Sequence, residues 1–302
     1  MAKGIVILEL IDQVYKPTDN ANERKHMEKH YIYYEDRKRF YIKVLILFFF
    51  QLCLMTFVLF IFHYIVSIKE WIRKHMWSIY FLSLLNGYSV IILLKVATIE
   101  RFFPFNVMTL GVFTLFHSII VAQITSEIAA FTEGLSFFFV LLTSTILFVF
   151  ATRYSHDITN SFSQYFCLFT MPLAFIPIFI VIFAVEGFES ILTKVFMGFT
   201  TIYFLLFTSI TAQILQGSRF VEVDTQDYVL GSMQLFTEIL CASLAMSTLL
   251  DGSSSEEYYW FTTIFLTFNI HLLYFFILVN AVELKSKLKR KVSQILEFSI
   301  NS

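Results

Sequence analysis

Charge is what this sequence has least of. Only 15% of its 302 residues are Asp, Glu, Lys or Arg, against roughly a quarter in soluble domains. With 57% hydrophobic residues, 19% aromatic residues and a mean hydropathy of +0.71, a water-clad globule of this size is excluded. Cysteine is as scarce. Cys53, Cys167 and Cys241 each fall inside an apolar segment, which reads as three small core residues rather than a disulfide framework or a metal set. There is no P-loop, no G-x-S-x-G, no H-E-x-x-H and no Cys pair at metal spacing. The chain is therefore expected to be no enzyme, with no cofactor, no metal site and no nucleic-acid partner. No cleavable signal is visible, because the first long apolar window starts only after forty polar and mixed residues.

What the sequence holds in abundance is apolar length. A bilayer crossing takes roughly 20 predominantly apolar residues, and windows near 43–67, 77–98, 106–128, 135–152, 163–185, 191–214, 228–250 and 258–282 meet that need. An all-α polytopic membrane protein follows. Basic residues gather at the two ends, Arg24 to Lys43 and Lys285 to Lys291. Eight crossings put both ends on one side with Arg101, Arg153 and Arg219, and leave Lys69, Arg73, Lys74 and Lys194 opposite. By the positive-inside rule both termini are then expected in the cytosol or matrix; seven crossings would misplace the basic tail.

The chain divides into a polar arm, 1–42, a bundle, 43–250, and an added crossing with a basic tail, 251–302. The arm reads either as a solvated charged segment or as an interfacial helix. Trp71, Trp77 and Trp260 stand at the ends of apolar segments, where an indole anchors at the headgroups. Pro172 and Pro177 imply a kink in the fifth crossing, as packing or as a gate. In the eighth crossing, Asn269, His271 and Asn280 serve as helix glue or, through His271, as a proton relay. His117 has no His or Cys at i+3 or i+4, so a satisfied imidazole is the reading there.

Glu238 stands near the middle of the seventh window. An ionisable group at that depth costs at least a few kcal/mol, so it must be neutral, paired or beside a wet cavity. It is the default functional residue.

Four motifs, in order, resemble the transmembrane BAX inhibitor motif family, also called the Lifeguard group. RKRFYIKVLILFFFQL is similar to the family's basic start of the first span, with Arg37, Lys38, Arg39, Phe40 and Lys43 before the apolar run and Gln51 inside it. Pro104, Asn106, Phe113 and Thr114 resemble its Pro-x-Asn start of the third span and following Phe-Thr pair. Thr152, Arg153, Asp157 and Thr159 match the junction after the fourth span. Gln213, Gly217, Asp227, Tyr228 and Glu238 match the family's most distinctive block, in which a carboxylate follows an acidic-Tyr pair. The resemblance covers about residues 38–250 and implies a seven-helix BAX-inhibitor-like bundle, here with an eighth transmembrane helix.

Two departures shape the functional expectation. Calcium-leaking relatives carry an Asp facing the seventh-span carboxylate; here that place falls on Thr211, followed by Ala212 and Gln213. Two close carboxylates share a proton and make a pH-dependent latch or cation site, which one carboxylate against a threonine does not. Calcium also prefers six to eight oxygens, usually with several carboxylates. Glu127 is the other candidate partner of Glu238, or else an interfacial carboxylate beside Glu133. The residual ion-binding set is thus Glu238, Thr211, Gln213 and Glu127. The second departure is the continuation past 250.

The expected role is a structural or accessory subunit of a larger membrane assembly with a degenerate family ion site. Its partners are the lipid bilayer, other membrane subunits met through the eighth span and both termini, and anionic lipid headgroups. The alternative is a pH-sensitive calcium or proton leak that modulates organelle calcium and cell death. An intracellular membrane is implied by the resemblance, with the mitochondrial inner membrane favoured over endoplasmic reticulum or Golgi.

Overall fold

The computed structural model describes residues 21–75, 78, 79, 81, 82, 85–87, 89, 90, 102–125, 128, 130–154, 156–159, 189–217, 223–250 and 262, 265, 266, 269, 270, 272 and 273. Among these there are helices and turns and no strand. The helices are α1, Ala21–Tyr64; α2, Val66–Lys74; α3, Phe105–Thr125; α4, Ala130–Arg153; α5, Glu189–Gln216; and α6, Tyr228–Leu250. Five stretches, Ile32–Phe62, Phe105–Thr125, Phe131–Arg153, Lys194–Gln216 and Tyr228–Leu250, are long and apolar enough to cross a bilayer. The protein is an all-α polytopic membrane protein. These five correspond to the first, third, fourth, sixth and seventh expected crossings. The fifth lies wholly outside the described residues, and the second and eighth lie largely outside them.

The chain forms two compact units, Met1–Arg39 and Phe40–Ser302. In the first, the Arg37 guanidinium stands 5.6 Å from the ring centre of Tyr33, one helical turn away. The second holds the bundle.

Helix α6 is the centre of that bundle. Of its membrane-spanning window 94% is buried, against 22% for α4, so α6 is enclosed by protein while α4 turns most of its surface to lipid. Phe138, Phe139, Ile146, Val149 and Phe150 of α4 are all exposed, a set that water would penalise and acyl chains do not. The main core joins Phe113, Ile120 and Ile124 of α3, Phe204 and Phe207 of α5 and Met233, Phe236 and Leu240 of α6. Phe265, Leu266, Ile270 and Leu273 enter the same core. Leu272 joins them, and Thr262 and Asn269 are also buried.

Cys241 is buried. Cys53 is not the core residue expected from the sequence: it is exposed on α1. A lipid face is as apolar as a core, so hydropathy alone cannot separate them. Cys167, Pro172 and Pro177 lie outside the described residues.

Close packing fixes one glycine. A Cβ on Gly231 of α6 would stand 2.7 Å from Leu215 Cδ2 and 3.3 Å from Val44 Cγ2. The tip of Leu215 can turn aside for one methyl group, and alanine recovers about 1 kcal/mol of helix propensity, so Gly231→Ala should be near neutral. Gly231→Val should cost about 1 to 3 kcal/mol by overpacking. Chemical denaturation of the purified protein in detergent micelles checks the contrast, and equal stability of the two variants would refute it.

Candidate functional site

The site is built on the hairpin of α5 and α6. Helix α5 ends because Gly217 adopts a left-handed φ of 79°, and its N–H bonds the carbonyl of Gln213 at 3.2 Å, the single-bond form of a left-handed cap. A turn follows in which Asp224 Oδ1 accepts from the Gln226 N–H at 3.3 Å and Asp224 O accepts from the Asp227 N–H at 2.9 Å. Asp227 then starts α6, its carbonyl taking the Gly231 N–H at 3.1 Å. Thr211 stands five residues before the end of α5 and Glu238 ten after the start of α6.

They meet. The Thr211 hydroxyl donates to Glu238 Oε1 at 2.5 Å. Gln234 completes a ring: its Nε2 donates to Thr211 Oγ1 at 2.5 Å and to Glu238 Oε1 at 3.0 Å. All three side chains are at most 2% exposed. Thr208, one turn before Thr211, also faces the carboxyl, but its hydrogen goes to Phe204 O at 3.1 Å. Glu238 Oε2 and Gln234 Oε1 are buried without a hydrogen-bond partner. Sequence reasoning missed Gln234, although it lies one turn ahead of Glu238 at i−4, the spacing that puts two side chains on one face.

Gln213 belongs elsewhere. Two residues after Thr211 it points about 200° around α5, toward the end of α4. There its Nε2 donates to Ala151 O at 3.3 Å and His156 O at 3.0 Å, and its Oε1 accepts from the Ile158 N–H at 2.8 Å. The structure thus brings Thr211 and Glu238 together and assigns Gln213 to the junction after α4. In that junction Asp157 Oδ1 accepts from the N–H of Thr159 at 2.8 Å and from its hydroxyl at 2.5 Å, a local turn. Glu127, the remaining candidate, lies outside the described residues.

Lys43, Gln51 and Asn106 of the other motifs reach α6. Gln51 of α1 accepts from the Ser232 hydroxyl at 2.5 Å and donates to Thr114 of α3 at 3.0 Å, linking three helices in one buried relay. Asn106 donates to the Tyr228 hydroxyl at 2.8 Å, and the Lys43 ammonium stands 5.1 Å from the centre of the Tyr228 ring. His117 is buried with its ring centre 4.0 Å from that of Phe113 and 5.8 Å from that of Phe265. Its Nδ1 carries the hydrogen, because its partner at 3.1 Å, Phe113 O, can only accept. Asn269, which donates to Phe265 O at 2.9 Å, also faces His117. His271 and Asn280 lie outside the described residues.

Chemically, one carboxyl group with one oxygen held by two donors is a poor calcium cage. No cluster of three or more His, Cys, Asp or Glu that could hold a metal ion exists among the described residues.

No protein-family model matches the sequence, and no solved structure matches it. Among curated proteins, Protein lifeguard 3 of Mus musculus is 26% identical over 217 residues, 68% of each chain. The chain is similar to a lifeguard protein. That relative bears the name of the group whose motifs the sequence resembles, and the similarity together with the apolar helices supports kinship with that group.

Proposed function

We propose that this protein is a divergent member of the BAX inhibitor group that has exchanged ion handling for a structural role, as an accessory subunit of a membrane assembly. The carrying observation is the ring of Thr211, Gln234 and Glu238. The position that faces the carboxyl holds a hydroxyl donor at 2.5 Å, and a second donor, Gln234, closes the same oxygen. A ring of neutral donors around a buried carboxyl locks α5 against α6, which is how polar side chains join helices in lipid. Partners would engage the basic tail and the added segment past 250, with anionic headgroups as the other claim on the basic residues. An intracellular membrane, the mitochondrial inner membrane foremost, is the proposed location, with both termini on the matrix or cytosolic side.

A second reading, a pH-sensitive calcium or proton leak, draws on Glu238 Oε2 and Gln234 Oε1. Both are buried acceptors without a partner, the kind of oxygen a proton or cation would seek.

Two measurements separate the readings. Mild-detergent extraction and a native gel should show the chain in a large assembly, lost on deletion of residues 283–302. Proteoliposomes of the purified chain should conduct no calcium, while Thr211→Asp, which restores a carboxylate pair, should introduce an acid-sensitive flux. A free monomer with flux that Glu238→Gln abolishes would overturn the structural role.

A further inference from the structure

A pocket of about 210 Å³ opens among α1, α3, α4 and α6, at the end of the bundle where α3 ends and α4 begins. On α6 it is lined by Ser243 and Ser247. Counted from Glu238 at about 100° per residue, these lie about 140° and 180° around the helix, so the pocket is on the far face from the carboxyl ring and owes nothing to it. It has space for about seven waters at roughly 30 Å³ each.

The polar lining has one chemical sense. The Thr56 hydroxyl donates to Leu52 O at 2.8 Å, and the Thr125 hydroxyl to Val121 O at 2.9 Å. Ser243 donates to Leu240 O at 2.8 Å, and Ser247 to Leu244 O at 3.0 Å. Each hydroxyl hydrogen is turned into its own helix, so what these four groups offer the pocket is oxygen lone pairs. Glu133 is the acidic residue of the same wall. The rest of the wall is apolar: Met55, Leu59, Val121, Phe137 and Leu244. An anion or a carbonyl compound would find no hydrogen to accept from these side chains. A primary ammonium on an apolar body matches both halves, with three N–H donors for the oxygens and hydrocarbon for Leu59 and Phe137.

We propose that this pocket, formed by Thr56, Thr125, Glu133, Ser243 and Ser247, binds a primary ammonium group carried on an apolar body. The pocket also contains its own control. Gly134 lines it, and a Cβ added there meets nothing within 4 Å, so a larger side chain can occupy the space without straining α4.

The test is calorimetric titration of the full chain in detergent micelles with n-butylammonium, a chain too short to partition strongly into the micelle. Saturable one-site binding is expected. Butyltrimethylammonium, with the same charge and no N–H, should bind about tenfold more weakly or worse, since a hydrogen bond to a charged group is worth about 1.5 to 3 kcal/mol. Gly134→Leu should abolish binding, and a Ser243→Ala/Ser247→Ala double variant should weaken it about tenfold, giving a second reading if the leucine disturbs folding. Phosphatidylethanolamine added to the micelles distinguishes the sources: competition identifies a lipid headgroup as occupant, and its absence a free amine, either of which upholds the site. No saturable binding, equal affinity for the two ammonium ions, or full affinity in both variants would overturn it.

Discussion

Glu238→Ala is expected to destabilise the protein by about 3 to 5 kcal/mol, and Glu238→Gln by less than about 1. The alanine removes the acceptor shared by Thr211 and Gln234 and opens a void in a helix whose side chains are enclosed. Truncating a large buried side chain costs about 2 to 5 kcal/mol, and a buried donor left without a partner adds about 1 to 3. Thr211 and Gln234 keep their bond to each other, which holds the total in the lower part of the combined range of about 3 to 8 kcal/mol. The glutamine is isosteric and retains the Oε1 acceptor, so both donors stay satisfied. Denaturant titration in micelles followed by circular dichroism measures both. If Glu238→Gln fell as far as Glu238→Ala, the ionisable proton and not the hydrogen-bonded shape would be what the site needs, and the structural reading would fail.

Gln213→Leu should cost about 2 to 4 kcal/mol although it conserves volume. The substitution strips two donors from the carbonyls of Ala151 and His156 and the acceptor from the Ile158 N–H. Ala151 belongs to the last turn of α4, where carbonyls have no partner within the helix, and Gln213 supplies one. Gln213→Glu should be as damaging or worse, since a carboxylate would face two carbonyl oxygens with nothing to donate. Limited proteolysis at the 154–159 turn reports the local effect, and the denaturation midpoint the global one. A loss below about 1 kcal/mol for the leucine variant would show that water replaces the amide there.

Both predictions concern residues that the family resemblance places in one short block, yet the structure gives them separate tasks. Thr211 and Glu238 lock α5 to α6, while Gln213 fastens α5 to the end of α4. The difference is the angle of about 200° between positions two apart on a helix, which a motif written as a string conceals. Gln234 shows the converse. It is legible as the residue one turn before Glu238, but a glutamine among apolar residues becomes part of a site only when something stands across from it.

Composition was enough to require a membrane, because 15% charge cannot cover a soluble surface of this size. Runs of apolar residues placed four of the five crossings among the described residues close to where they lie, since each must match the thickness of a bilayer, but the first begins at Ile32 and not near 43, because its helix continues back into the charged arm. Period and hydropathy could not rank those helices, because lipid and protein core are equally apolar. Only packing made α6 the enclosed helix and α4 the outer one, and only packing moved Cys53 to the surface. The carboxyl at 238 was visible in the sequence as an expensive group. That a threonine and a glutamine hold one of its oxygens was decided by how α5 packs on α6, because a register between helices is a property of their packing.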